Sequence, residues 1–289
     1  MFAISRHLGE HPTLIGDLVG IAISSLAIGG LDEMLEQPGC PNLYWALTNL
    51  PSPLISLDKG MEGERVMLSW VFRDLDDDAP MSKDQLDTFV AEMEKMLGMA
   101  VGKPDEHRVR AWLDARTKDE AVVGAARRRL VAYGLPEERL ARFPLDQVIL
   151  LDEQRDLEVR FDDYVKTLNF PAWQAESLAP KVESKKPSDL LADALLPALH
   201  AVRHAQARVD QRIALLRHIE ALRLYSAEHD GTFPAKLSDV SVPLPLDPFT
   251  GKPFRYEVTG DTAHLRGSPP SGQENIPQFN IHYEVILQE

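Results

Sequence analysis

Residues 189–229, DLLADALLPALHAVRHAQARVDQRIALLRHIEALRLYSAEH, decide the fold. The stretch contains no glycine, and Leu195, Leu199, Val202, Val209, Ile213 and Leu216 recur at gaps of three, four and seven residues. That spacing puts a heptad-like apolar stripe on one helix of about 40 residues, longer than a usual globular helix. Ser188 stands where an N-cap belongs. Beyond Asp230 and Gly231 the texture changes to turns and short strands. Phe254, Tyr256 and Val258 alternate with Arg255 and Glu257, the residues Thr259, Gly260 and Asp261 form a turn, and 263–265 return as the second strand of a hairpin. Ile281, Tyr283, Val285 and Leu287 alternate in a last strand.

The residues in front of the long helix predict a helical region. Leu86, Phe89, Val90, Met93 and Leu97 give residues 83–99 one apolar stripe, and Ser82 with Gln85 has the spacing of a capping box. Residues 145–168 carry the apolar run 148–151 followed by Phe161, Tyr164, Val165 and Leu168, a long amphipathic helix ended by Pro171. Met61, Val66, Met67, Trp70 and Val71 are read as the buried side of a helix over 59–72, and Tyr44 and Trp45 as wedges packing a short helix over 43–49. Residues 179–187 (APKVESKKP) are polar, lack aromatics and are bounded by prolines, the composition of a linker. The expected class is therefore mainly α with a small α+β C-terminal module. Residues 1–180 form a helical domain, and residues 188–289 form a long helix packed on a short antiparallel sheet.

The most apolar stretch, residues 13–31, is near the length that spans a bilayer. Asp17 lies inside it, four glycines weaken it, and no lysine or arginine cluster flanks it, so a buried core helix is the preferred reading over a membrane span. Residues 1–11 are polar and charged where the apolar core of a secretory signal would stand. That leaves two expectations open: a cytoplasmic protein, or a chain that starts downstream of its native signal. The 289 residues hold 31 lysines and arginines against 45 aspartates and glutamates, a net charge of −14 that repels phosphate backbones and argues against nucleic acid as a partner. Cys40 is the one cysteine, so neither an intrachain disulfide nor a thiolate zinc cluster is available.

The runs LRLYSAEHDGTFPAKL (222–237) and PLDPFTGKPFRY (245–256) resemble the globular part of type II secretion pseudopilins. In that family a long helix ends in a tyrosine-bearing turn, a G-x-[FY]-P-x-x-L segment follows, and a short sheet packs back on the helix. The resemblance assigns structural roles to Tyr225, Gly231, Pro234, Leu237, Asp247, Pro248, Gly251 and Tyr256. Gly231 supplies the turn, Pro234 stiffens the exit, Leu237 plugs back onto the helix, and 247–251 form a tight turn into the first strand. What it implies is the fold of the C-terminal module. Together with PNLYWAL (41–47), the pattern also resembles bacterial envelope-associated proteins, in which a signal segment precedes the counterpart of residues 7–23. The location implied is the cell envelope or periplasm, with membrane association through such an upstream segment or, second, through residues 13–31.

Few residues point to chemistry. His200 and His204 stand four apart on one helix face, a spacing a metal can bridge, but H-E-x-x-H is absent because Ala201 follows His200. Asp74, Asp76 and Asp78 begin like a calcium loop, yet Ala79 and Gln85 occupy the positions that need glycine and glutamate. The basic run of Arg127, Arg128 and Arg129 is expected to pair with acidic neighbours. No G-x-G-x-x-G, P-loop or G-x-S-x-G motif occurs, so neither a cofactor nor a catalytic residue is assigned. The expected function is a non-enzymatic structural or protein-interaction protein of a bacterial envelope or secretion-like system. The alternative is an enzyme or small-ligand binder with a pocket between the helical domain and the C-terminal sheet.

Overall fold

The computed structural model describes residues 1–101, 108–178, 190 and 192–287. Its elements in order are α1 (Phe2–Leu8), α2 (Leu14–Leu35), α3 (Tyr44–Thr48), α4 (Asp58–Val71), α5 (Lys83–Val101), α6 (Arg108–Thr117), α7 (Glu120–Ala132), α8 (Glu137–Leu140), α9 (Leu145–Lys166), α10 (Ala172–Leu178) and α11 (Ala192–Glu228), then strands β1 (Arg255–Thr259), β2 (Thr262–Arg266) and β3 (His282–Ile286). The protein is mainly α with a three-stranded antiparallel sheet near its C-terminus. The linker expected at 179–187 and the cap expected at Ser188 lie outside the described residues. The helices α1, α8 and α10 went unread in the sequence.

The chain divides into two compact units that do not follow chain order. One comprises Met1–Gly63, Thr167–Pro180 and His200–Glu289; the other comprises Glu64–Lys166 and Lys181–Leu199. This grouping differs from the expected division into 1–180 and 188–289, and the reason lies in the side chains of α11 described below.

In the second unit α9 is the central element. Residues 147–153 are buried on every side, with Val148, Ile149, Leu150 and Leu151 at most 2% exposed. The helices α6 and α7 pack against it, and its core gathers Phe72, Leu86, Phe89, Val109, Leu113, Leu130 and Leu157. The capping box holds: Ser82 Oγ accepts from the Gln85 backbone N–H at 3.3 Å, and Gln85 Oε1 accepts from the Ser82 N–H at 2.8 Å. The phase of α4 is different from that expected. Met61 is 1% exposed, but Val66, Met67 and Trp70 are 56, 59 and 66% exposed. The side facing inward here is that of Leu68, Val71 and Phe72.

In the first unit the central element is the described part of α11 from His200 onward, and it is buried around nearly its whole circumference between Val202 and Leu222. Of its expected stripe, Leu199, Val202, Val209, Ile213 and Leu216 are all buried, and the Leu195 side chain lies outside the described residues. So are Arg203, Gln206, Gln211, His218 and Glu220. Each of these polar groups binds main chain. Arg203 donates to the carbonyls of Thr167, Leu168 and Phe170. Gln206 donates to Ile55 O at 2.6 Å, and Asp210 accepts from the Leu54 N–H at 3.0 Å. Glu220 accepts from the Leu43 N–H at 2.7 Å, while its own carbonyl accepts from Asn42. Segments 42–43, 54–55 and 167–170 are thereby hung on one helix, which is why chain far apart in sequence folds as one unit. Tyr44 is fully buried as expected and donates to Pro243 O, whereas Trp45 is 61% exposed.

The helix α2 departs from a core helix. It buries Asp17, Gly20, Ile21, Ser24, Ala27 and Ile28, and α1 packs against it. Gly20 is required by that approach: a Cβ there would stand 2.6 Å from Ser5 O. The opposite face is apolar and uncovered, with Ile15, Leu18, Val19 and Leu26 at 74, 41, 43 and 68% exposed. By length and composition this helix could cross a membrane, and 33% of its most apolar window is buried within the protein.

Candidate functional site

The sheet carries the densest group of potential ligands. Thr259 pairs with Thr262 across the Gly260 turn (φ 59°), which sets the β1–β2 register, and Thr262 pairs with Ile286 to set that of β2–β3. Side chains alternate across the pleat. Ala263, Leu265 and Val285 are buried on one face, so His264, His282 and Glu284 stand together on the other. His264 lies directly opposite Glu284, and His282 precedes Glu284 by two residues on β3. Nδ1 of His264 is 3.2 Å from Nε2 of His282, and Glu284 Oε1 is 3.7 Å from the first nitrogen and 4.0 Å from the second. Among the described residues this is the group of three such side chains whose donor atoms converge, all within 4.8 Å of one another. The sequence placed each residue on a strand but did not bring them together. The signal was there in part, since an H-x-E pair on an alternating strand must share a face.

The residues singled out by the family resemblance occupy turn and packing positions. Tyr225 stacks on His229 at 3.8 Å between ring centroids, and Asp230 and Gly231 take left-handed φ values of 50° and 76° as α11 ends. The Gly231 N–H closes that end on Ser226 O. Pro234 is buried and its carbonyl accepts from the Tyr256 hydroxyl at 2.8 Å. Burial, with Tyr225 and Asp239 nearby, pushes that phenol up to about 12. Leu237 is half-buried and opens a single 3-10 turn, Leu237–Asp239. Asp247 is the hub of the next turn: it is 1% exposed and accepts from Gln211 Nε2, the Phe249 N–H and the Ser268 N–H at 3.0, 3.0 and 2.8 Å. Pro248 O accepts from the Trp173 N–H, and Gly251, at φ 64°, sits so close to the Trp173 indole that a Cβ would fall 2.5 Å from it.

The histidine pair on α11 has other company. His204 Nε2 is 3.2 Å from Glu176 and its ring meets Phe249 and Phe279 edge-on. Burial and the neighbouring His204 hold the His200 imidazole below its ordinary pKa. The acidic loop is stitched by its own backbone and by arginines: Asp76 Oδ1 accepts from the N–H groups of Asp78 and Ala79, which lowers its pKa, and Arg139 and Arg155 pair with Asp78 and Asp77. Of the basic run, Arg129 grips Asp152 through two nitrogens, at 2.8 and 2.5 Å.

A cleft of about 530 Å³ lies in the first unit, between the end of α2, residues 36–39, α11 and β3. Two of its lining charges, Arg223 and Asp32, are engaged within the protein, and Glu36 and Glu284 line it as well. Arg223 donates to Glu220 and to Cys40 O, and Asp32 accepts from Arg212 and from Tyr283, whose phenol burial pushes up to about 12. The sequence matches no protein-family model, and neither curated proteins nor solved structures give a match.

Proposed function

We propose that this is a non-catalytic interaction protein of a bacterial cell envelope, acting in a secretion-like assembly, with α2 as its docking helix. The observation that carries the reading is the uncovered apolar stripe of Ile15, Leu18, Val19 and Leu26. With the exposed Ala22 these residues fall at the three- and four-residue spacing of one helix face (15, 18 and 19, 22, 26), and the stripe runs about 16 Å, three turns, along α2. An exposed contiguous apolar face of this kind marks an interaction surface in a soluble molecule. A helix of a partner protein is the occupant that fits best. Its apolar face can pack along α2, whereas a net charge of −14 is repelled by an anionic lipid surface. The envelope location draws its support from the resemblance of residues 222–256 to pseudopilins, and the turns formed at Gly231 and at 247–251 are compatible with it.

The reading is tested by placing a photo-crosslinker at Leu26 of the full chain in a bacterial host, with and without Ile15→Glu and Val19→Glu. The expected result is one defined envelope protein crosslinked at Leu26, lost in the charged variants. Crosslinking to a second copy of the chain, or to lipid, would replace the proposed partner; no crosslink at all would overturn the reading. The 530 Å³ cleft is in the size range of a ligand pocket, but with Arg223 and Asp32 bonded within the protein it offers a weaker case.

A further inference from the structure

We propose that His264, His282 and Glu284 form a zinc site on the open face of the C-terminal sheet, independent of the docking role of α2. The distances discriminate between a hydrogen-bonded cluster and a metal site. At 3.2 Å the two imidazoles could share one hydrogen, but 3.7 and 4.0 Å from Glu284 are too long for hydrogen bonds. A tetrahedral ion with bonds of about 2.0–2.1 Å needs donors about 3.3 Å apart, so the two imidazoles are already at that spacing and the exposed Glu284 carboxylate reaches it by closing in by about 0.4–0.7 Å. The sheet supplies the preorganisation. Antiparallel register fixes His264 opposite Glu284, and the pleat puts His282 on the same side.

The donor set selects the metal. Two imidazole nitrogens and one carboxylate oxygen favour zinc and its neighbours over calcium or magnesium, which take oxygen ligands. Three protein ligands leave a fourth position for water or for a group from outside. The three side chains are part-exposed, at 19, 33 and 58% for His264, His282 and Glu284, so an ion can reach them from solvent. The chain's net charge of −14 raises the local concentration of cations. Because the site joins β2 to β3 across residues 267–281, a bound ion would also clip together two strands that no tight turn connects.

The test is calorimetric titration of the full chain with Zn²⁺ alone. We expect one equivalent to bind, and His264→Gln and His282→Gln each to weaken binding by at least about 10–100-fold, the loss that even outer-shell changes cause. His204→Gln should leave the affinity unchanged, and zinc should raise the melting temperature of the unmutated chain and not of the double variant. Ring ¹⁵N shifts of His264 and His282 in the unmutated chain, recorded with and without zinc, supply a readout that no variant's folding can spoil. Absence of zinc binding, binding that survives both histidine changes, or unmoved ring shifts at saturation would each overturn the site.

Discussion

Two central helices organise this molecule, and they are buried by different proportions of apolar packing and hydrogen bonding. At the heart of the second unit, α9 presents Val148, Ile149, Leu150 and Leu151 in succession, with Gln147 at one end and Asp152 and Glu153 at the other. In the first unit, α11 interleaves its apolar residues with Arg203, Gln206, Asp210, Gln211, His218 and Glu220. Apart from Gln147, which donates to Asp76 O and Ala79 O and accepts from the Met81 N–H, and Asp152, which pairs with Arg129, the apolar helix is held by close packing, which is non-directional and tolerates any well-fitting neighbour. The polar helix is held by hydrogen bonds to particular carbonyls and N–H groups, so it specifies which loops lie where. Directionality comes with a vulnerability, because each partner removed leaves a buried group unsatisfied.

The comparison breaks most sharply under truncation of the apolar helix. Leu150→Ala is expected to lower stability by about 2–5 kcal/mol in chemical denaturation, the cost of a cavity in a fully packed core, whereas Leu150→Met should cost less than about 1.5 kcal/mol. The polar helix should respond in the reverse sense to shape-preserving changes. Gln211→Leu keeps the volume but strips Asp247 and Ser268 O of a donor, and a loss of about 1–3 kcal/mol is expected from the same measurement.

In the unmutated chain the smallest effect is a dependence on pH from two groups of α11, at most about 1.4 kcal/mol per pH unit for each group and opposed in sign, so that the two largely cancel. Desolvation pushes the Asp210 carboxyl from 3.8 up to about 7 and the His218 imidazole from 6.5 down to about 4. Between pH 4 and 7 folded Asp210 holds a proton that the unfolded chain has lost, so its contribution falls as pH rises. Folded His218 lacks, between pH 4 and 6.5, a proton that the unfolded chain binds, so its contribution rises with pH. The two oppose each other in the same window. Asp210→Asn should therefore expose a stability that climbs with pH from 4 to 6.5, and His218→Phe one that declines, in melts recorded across that range. Parallel profiles for the two variants would show that α11 carries no such opposed pair.

The same contrast explains what was legible beforehand. The pattern of 145–168 announces an amphipathic helix and the alternation about Gly260 a hairpin, because both patterns are local and apolar; that residues 147–153 are buried on every side is set by α6 and α7. The burial of the polar residues of α11 has no such signal, since nothing in the local sequence tells a buried glutamine from an exposed one; only the partners do, and Leu54, Ile55 and Asp247 are distant in the chain. The helix α4 misled for a related reason. Val66, Met67 and Trp70 form a consistent face, but it is the uncovered one. For the candidate zinc site the individual strands were readable, while the register of β3 on β2 was not, because residues 267–281 form too long a connection to fix it.

The contact between Gly251 and Trp173 has a consequence for how the C-terminal module could be handled as a piece. A protein cut before residue 188 keeps the 247–251 turn but loses the indole that lies flush against it, the N–H that binds Pro248 O, and Ala172, which helps cover Phe249 and Phe279. Expressed alone, residues 188–289 would thus carry an open apolar wound where α10 belongs. The C-terminal part of this chain is in that sense a resident of its unit and not a transplantable cassette.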